Sequence, residues 1–308
     1  MADSVSASET SQRVLEKYSG SWGQGAVALA SSCLGRDGMM QISDSVQTAS
    51  AEQLTAEVDR RLRIGLGLTV AGVVTIFLTT ASGFWQTLGL GLFYLLLPSL
   101  AVAQLPLLRV HEIERIPMYI GSAGTIVVIG AVALGFGVPS SGLAGLGISW
   151  IPGWEMVAWV GGTTIAGLVI IGAFWPTESR SAGGPSDFVL KLIPRTGVEK
   201  RFFVGLSIVA GLGEEIAYRG YALTTIQLLI PAPWIAAGLS SVAFGVLHAY
   251  QGSVGILRTS LIGLVLAISV LMTESLVPGI MAHALIDLIV GLVIGPRMVT
   301  RAEKDLRC

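Results

Sequence analysis

The chain has 308 residues, 52% of them hydrophobic and only 13% charged, with a net charge of −1 and a mean hydropathy of +0.73. Soluble domains carry about 25% charged residues, so the composition excludes an ordinary soluble fold and points to a membrane protein. The near-zero net charge excludes a nucleic-acid binder built on a basic face, and two cysteines, Cys33 and Cys308, exclude a disulfide framework.

Residues 1–60 are rich in Ser, Ala and Gln, carry both signs of charge and lack a sustained apolar run. They read as a mobile or partly helical cytoplasmic tail. From there, apolar stretches long enough to cross a hydrocarbon core recur at about 62–80, 84–105, 118–137, 154–175, 202–224, 232–249, 255–273 and 276–295. In lipid, backbone groups must bond within their own segment, so these are expected to be helices. The predicted fold is all-α, a polytopic membrane bundle of about eight spans. Four spans occupy 61–197 as supports, four more occupy 198–296, and a cytoplasmic tail follows at 297–308. No basic segment with an apolar core precedes Cys33, so insertion by the first span itself is expected.

The cations set the orientation. Arg60, Arg61 and Arg63 precede the first span, Arg109 and Arg115 follow the second, and Arg180, Lys191, Arg195, Lys200 and Arg201 follow the fourth. Arg297, Arg301, Lys304 and Arg307 lie in the tail, whereas 81–83, 138–153, 225–231 and 274–275 contain neither Lys nor Arg. This bias places both termini in the cytoplasm of a cell that carries the protein in its plasma membrane. Trp85, Trp150, Trp154 and Trp234 stand near span ends, as interfacial anchors should.

Within the spans few ionisable groups remain: Glu214, Glu215, Arg219, His248, Arg258, His283 and Asp287. All lie in the last four spans; His111 is a loop residue with a solvated role. Each such group costs about 2.5–3.5 kcal/mol at the bilayer centre, so gathering them around one water-filled cavity is cheaper than scattering them. Spans five to eight are expected to form that cavity, with the first four as a brace. Glu215 and Arg219, four apart, share a helix face and read as a structural ion pair. Glu214 lies about 100° around the helix, a carboxylate without a local partner and a candidate general base. His283 and Asp287 share a face of the eighth span, and His248 ends the sixth.

These residues, as Glu214-Glu215-x-x-x-Arg219 with the aromatic-Arg-Gly run Tyr218-Arg219-Gly220, Phe244-x-x-x-His248 and His283-x-x-x-Asp287, resemble the three signature motifs of the CPBP family. The family comprises CAAX prenyl endopeptidases of the Ras-converting type and bacteriocin-processing relatives. The resemblance covers about residues 198–295. It implies an intramembrane endopeptidase whose cavity opens to the cytosol, with water activated by Glu214 and held by His248. His283 and Asp287 would stabilise the oxyanion, and Glu215 with Arg219 would be the structural pair. Asp287 departs from the family's asparagine; an ionised aspartate cannot donate to an oxyanion, whereas a protonated one can. No asparagine occurs anywhere in the chain. The resemblance leaves metal open, since the family is often labelled a metalloprotease while related enzymes are described as glutamate-activated without metal; the metal-free version, with no cofactor, is favoured. A divalent metal such as zinc on Glu214, His248 and His283 is the alternative, although the HExxH zinc signature is absent. Expected partners are peptide or protein substrates, lipid-modified ones included, and membrane lipids. A proton-coupled transporter would be expected to repeat such motifs in two halves, and none repeats. A non-catalytic adaptor or immunity protein of the same fold is the other competing reading.

Overall fold

The computed structural model describes residues 36–80, 82–108, 114–180 and 187–305. His111, Cys33 and Cys308 lie outside them. The chain divides into two units, Met1–Ala56 and Glu57–Cys308. In the first, residues 36–56 are helical. Every regular element among the described residues is helical.

Six described helices are long and apolar enough to cross a membrane: Glu52–Thr79, Phe84–Ala103, Arg115–Pro139, Gly153–Phe174, Ala249–Thr273 and Val277–Thr300. They correspond to the first four and last two expected spans. The remaining two segments are helical but differ in kind. The sixth, Pro233–Leu247, has only 15 residues, short for a ~30 Å hydrocarbon core. The fifth, Gly197–Glu215, runs directly into a π-helical segment, Ile216–Leu223, and then Thr224–Leu229. Its own Glu214, Glu215 and Arg219 break the apolar run. Trp85, Trp150, Trp154 and Trp234 are all exposed, as anchors at span ends require.

The fifth helix starts on a reciprocal cap. Glu199 N–H donates to Thr196 Oγ1 at 3.2 Å, and Thr196 N–H donates back to the Glu199 carboxylate at 3.0 Å. Such a cap contributes about 1 kcal/mol. The backbone N–H groups of Thr196 and Arg195 hold the Glu199 carboxyl below the usual carboxylate range. Arg115, at the start of the third helix, also reaches Glu199 at 3.4 Å. At the opposite end, the 146–149 loop meets the connection between the seventh and eighth helices. Leu276 N–H donates to the Gly147 carbonyl at 2.7 Å, and Ser149 Oγ donates to the Glu274 carbonyl at 3.1 Å. Two of the cation-free connections therefore lie at the same end of the bundle.

Small residues set how close the helices come to the paired glutamates. A Cβ on Gly211 would stand 2.7 Å from the Ile280 carbonyl oxygen of the eighth helix, and one on Gly213 would stand 2.9 Å from the Ile126 carbonyl oxygen of the third. Backbone on both sides cannot yield cheaply, which is how glycine permits close helix approach in lipid. Gly211→Ala is expected to push the eighth helix away from the fifth, at an overpacking cost of about 1–3 kcal/mol. Thermal unfolding of the purified variant checks this: its midpoint should fall below that of the wild type by the few degrees such a cost implies.

The π segment is buried along its whole length. Tyr218 packs edge-on against Phe93 and Phe244, and Tyr221 against Phe93 and Phe136. Hydroxyls of neighbouring helices reach its carbonyls: Ser240 Oγ donates to Tyr218 O at 2.8 Å, and Tyr94 OH donates to Ala222 O at 3.1 Å. The widened turn, a geometry frequent at functional sites, is thus fastened to the second and sixth helices immediately beyond Glu215.

Candidate active site

The adjacent glutamates of the fifth helix address two different nitrogens of one imidazole. His283 Nδ1–H donates to Glu215 Oε1 at 2.8 Å, while His283 Nε2 stands 3.7 Å from Glu214 Oε2. Asp287, one turn further along the eighth helix, brings Oδ2 to 3.9 Å from the same Nε2. The ring is therefore oriented by Glu215 and faces Glu214 and Asp287 with its other nitrogen. The gaps to Glu214 and Asp287 exceed hydrogen-bond length and match groups joined through an intervening water or substrate atom.

Glu215 and Arg219 form the expected ion pair, Nη1 to Oε1 at 2.8 Å, with both side chains fully buried. The pair has a further duty that the i, i+4 spacing alone did not reveal, since the same Glu215 oxygen accepts from His283. Arg219 is held on its other sides as well. Nη2 donates to the Gly263 carbonyl of the seventh helix at 2.9 Å, and the guanidinium lies 4.4 Å from the centre of the Phe244 ring. A desolvated cation–π contact of this kind is worth about 2 kcal/mol.

His248 caps the sixth helix. Its Nδ1 lies 3.0 Å from the Phe244 carbonyl; a carbonyl only accepts, so Nδ1 carries the proton and Nε2 presents its lone pair. Both imidazoles pack on Phe244, His248 at 4.8 Å and His283 at 5.9 Å between ring centres. A cavity of about 140 Å³ is lined by His248, His283 and Asp287 together with Gln251 and Arg258. The predicted site residues are thus brought into one neighbourhood, with Glu214 beside it against His283. The cavity also differs from expectation in one respect. Ile171 of the fourth helix and Val189 and Ile193 of the following segment form part of its wall, so the first four spans do more than brace.

The turn after His248 is a single 3-10 turn, Ala249–Gln251, closed by Gly252 at φ 81. Gln251 lines the cavity, and its Oε1 accepts from Arg258 Nη2 at 2.7 Å and from Thr259 Oγ1 at 3.3 Å. Tyr250 stacks 5.8 Å from His248. From sequence alone, the depth mismatch between Glu214 and His248 points to Ala249–Ser253 as a submerged turn lining the cavity; the individual contacts of Tyr250 and Gln251 are what it does not give.

Zinc would need three donors converging on one point. Among the described residues no three His, Cys, Asp or Glu side chains are so placed, whereas the Nδ1–H of His283 and of His248, each on an acceptor, leaves Nε2 of both rings in the tautomer a ligating histidine uses.

No curated protein and no solved structure matches the chain. Residues 199–289 match the family model for an Rce1-like type II CAAX prenyl endopeptidase. That segment contains Glu214, Glu215, Arg219, His248, His283 and Asp287, with six apolar helices of membrane-spanning length around and within it. Residues 199–289 are therefore similar to an Rce1-like type II CAAX prenyl endopeptidase domain, set in a polytopic all-α membrane protein.

Proposed function

We propose that the chain is an intramembrane endopeptidase in which Glu214 is the general base for water. The observation that carries this is the placement of Glu214 and Asp287 on either side of His283 Nε2, at 3.7 and 3.9 Å, with Glu215 fixing the ring from behind. A water donating to His248 Nε2 and to Glu214 would lose a proton to Glu214 as its oxygen attacks the scissile carbonyl carbon. The carbonyl oxygen gains the electron pair and faces His283 Nε2, which donates in its doubly protonated form. Collapse breaks the C–N bond; Glu214 returns its proton to the leaving nitrogen, giving a carboxylic acid and an amine, which then exchange a proton to leave as carboxylate and ammonium. His248 orients water, and Glu215 with Arg219 positions His283.

Substrates are peptides or proteins, and apolar residues along the cavity such as Ile171, Ile262, Ile286 and Val290 favour apolar side chains, lipid-modified ones included. The test is cleavage of a peptide library by purified protein in lipid vesicles, wild type against Glu214→Gln. Surviving cleavage in the variant would remove Glu214 from the reaction. Activity that persists after dialysis against a strong chelator is the expected result for the metal-free route; loss on dialysis with recovery on zinc would replace it.

Asp287 is assigned to the oxyanion side. An amide donates without needing an added proton, so Asp287→Asn is expected to keep activity within a few-fold at neutral pH and to extend it to higher pH. Asp287→Leu removes the donor and should lower kcat by about 10²–10³. Rate profiles of both variants from pH 5 to 9 check the assignment. An inactive asparagine variant would mean that the carboxylate itself is required.

A further inference from the structure

A second cavity lies apart from the site, on the outer face between the third and fifth helices. It has a volume of about 390 Å³ and is walled by Tyr119, Ile120 and Ala123 on one side and by Phe202, Gly205, Leu206 and Val209 on the other, with Arg201 at its end. Nothing in the proposed chemistry uses it. Its shape is fixed at that end by two ties between elements: Arg115 to Glu199, and Tyr119 OH donating to the Leu192 carbonyl. Tyr119, 2% exposed, makes the floor and packs edge-on against Phe203.

Arg201 to Val209 spans eight residues, about 12 Å of helix at ~1.5 Å per residue. That depth is less than half of a ~30 Å hydrocarbon core, so the slot stays within one leaflet. Arg201 makes no hydrogen bond or ion pair among the described residues, and Lys200 beside it is exposed. The groove therefore pairs an apolar slot of leaflet depth with a cation that has no side-chain partner among the described residues, in the cation-rich connection that precedes the fifth span.

We infer that this groove holds one anionic phospholipid, an acyl chain against Ala123, Gly205 and Leu206 and the phosphate on Arg201. The charge selects the occupant. A zwitterionic lipid would bring its own cation to the same place, whereas phosphatidylglycerol brings net negative charge, and basic pockets between membrane helices recognise such headgroups. The occupant would brace the same helix that carries Glu214.

The test uses the full chain in nanodiscs of phosphatidylcholine alone or with phosphatidylglycerol. Lipid retained on release is counted by native mass spectrometry, and thermal unfolding is followed in parallel. Wild type should retain one phosphatidylglycerol and unfold at a higher temperature in its presence. Arg201→Gln should lose roughly fivefold in apparent affinity for phosphatidylglycerol and show no headgroup preference. Gly205 has nothing within 4 Å of an added Cβ, so Gly205→Leu fills the slot without a clash and should abolish retention of either lipid. Equal retention of both lipids by wild type, or unchanged phosphatidylglycerol retention in Arg201→Gln, would overturn the inference. Stabilisation by soluble glycerol phosphate in phosphatidylcholine discs would also overturn it, since the site would then be one for a free phosphate. The readouts do not involve cleavage, so the proposal stands or falls independently of the protease reading.

Discussion

Glutamine at position 214 is expected to lower peptide cleavage by about 10²–10⁴-fold, the range supplied by a positioned general base, with little change in stability. The asymmetry follows from the geometry. The Glu214 side chain is 17% exposed and stands 3.7 Å from its nearest ionic neighbour, a separation that gives no direct hydrogen bond to lose. Glutamine has the same shape, so helix packing at Gly211 and Gly213 is undisturbed. Cleavage by the reconstituted variant, measured with its unfolding midpoint, separates the outcomes. Full activity would exclude Glu214 as base, and a large fall in the midpoint would make it a structural residue instead.

The two neighbouring carboxylates thus divide their work by helical rotation. About 100° per residue is enough to send Glu214 toward His283 Nε2 and Glu215 toward Nδ1 of the same ring. One imidazole on the eighth helix reads both positions. The consequence is that substitutions at adjacent residues should fail in different ways, one in chemistry and one in folding.

Much of this was legible before any coordinates, and the reason is energetic. Apolar runs of membrane length announce the spans, and the high cost of ionisable groups in lipid singles out Glu214, Glu215, Arg219, His248, His283 and Asp287. The Glu215–Arg219 pair followed from i, i+4 spacing. What was not legible depended on contacts between helices far apart in sequence. The Glu215–His283 hydrogen bond joins residues 68 positions apart, and no local pattern encodes it. The π segment at Ile216–Leu223 widens a turn without a compositional mark. The Ala249–Ser253 turn could be placed at the cavity from sequence, but the bonds of Gln251 to Arg258 and Thr259 could not. Ile171 and Val189 line the cavity as ordinary apolar residues, indistinguishable in sequence from those facing lipid.

The pair behind the site supports the second large effect. Glu215→Gln leaves Arg219, fully buried, without its counter-charge, and breaking a buried pair from one side costs about 3–5 kcal/mol. It also exchanges the charged acceptor on His283 Nδ1–H for a neutral amide oxygen, removing the counter-charge that favours the doubly protonated ring, so activity should fall together with stability. Removing both partners is different, because an apolar pair of similar volume is often neutral or stabilising in such a position. Glu215→Leu combined with Arg219→Met should therefore unfold at a higher temperature than Glu215→Gln, yet be inactive, since His283 Nδ1 then lacks an acceptor. A double-mutant cycle built from the single and paired variants, with unfolding midpoint and cleavage rate measured on each, isolates the coupling. If the paired variant recovered cleavage along with stability, Glu215 would serve only to neutralise Arg219, and the orientation of His283 would have to come from elsewhere in the cavity.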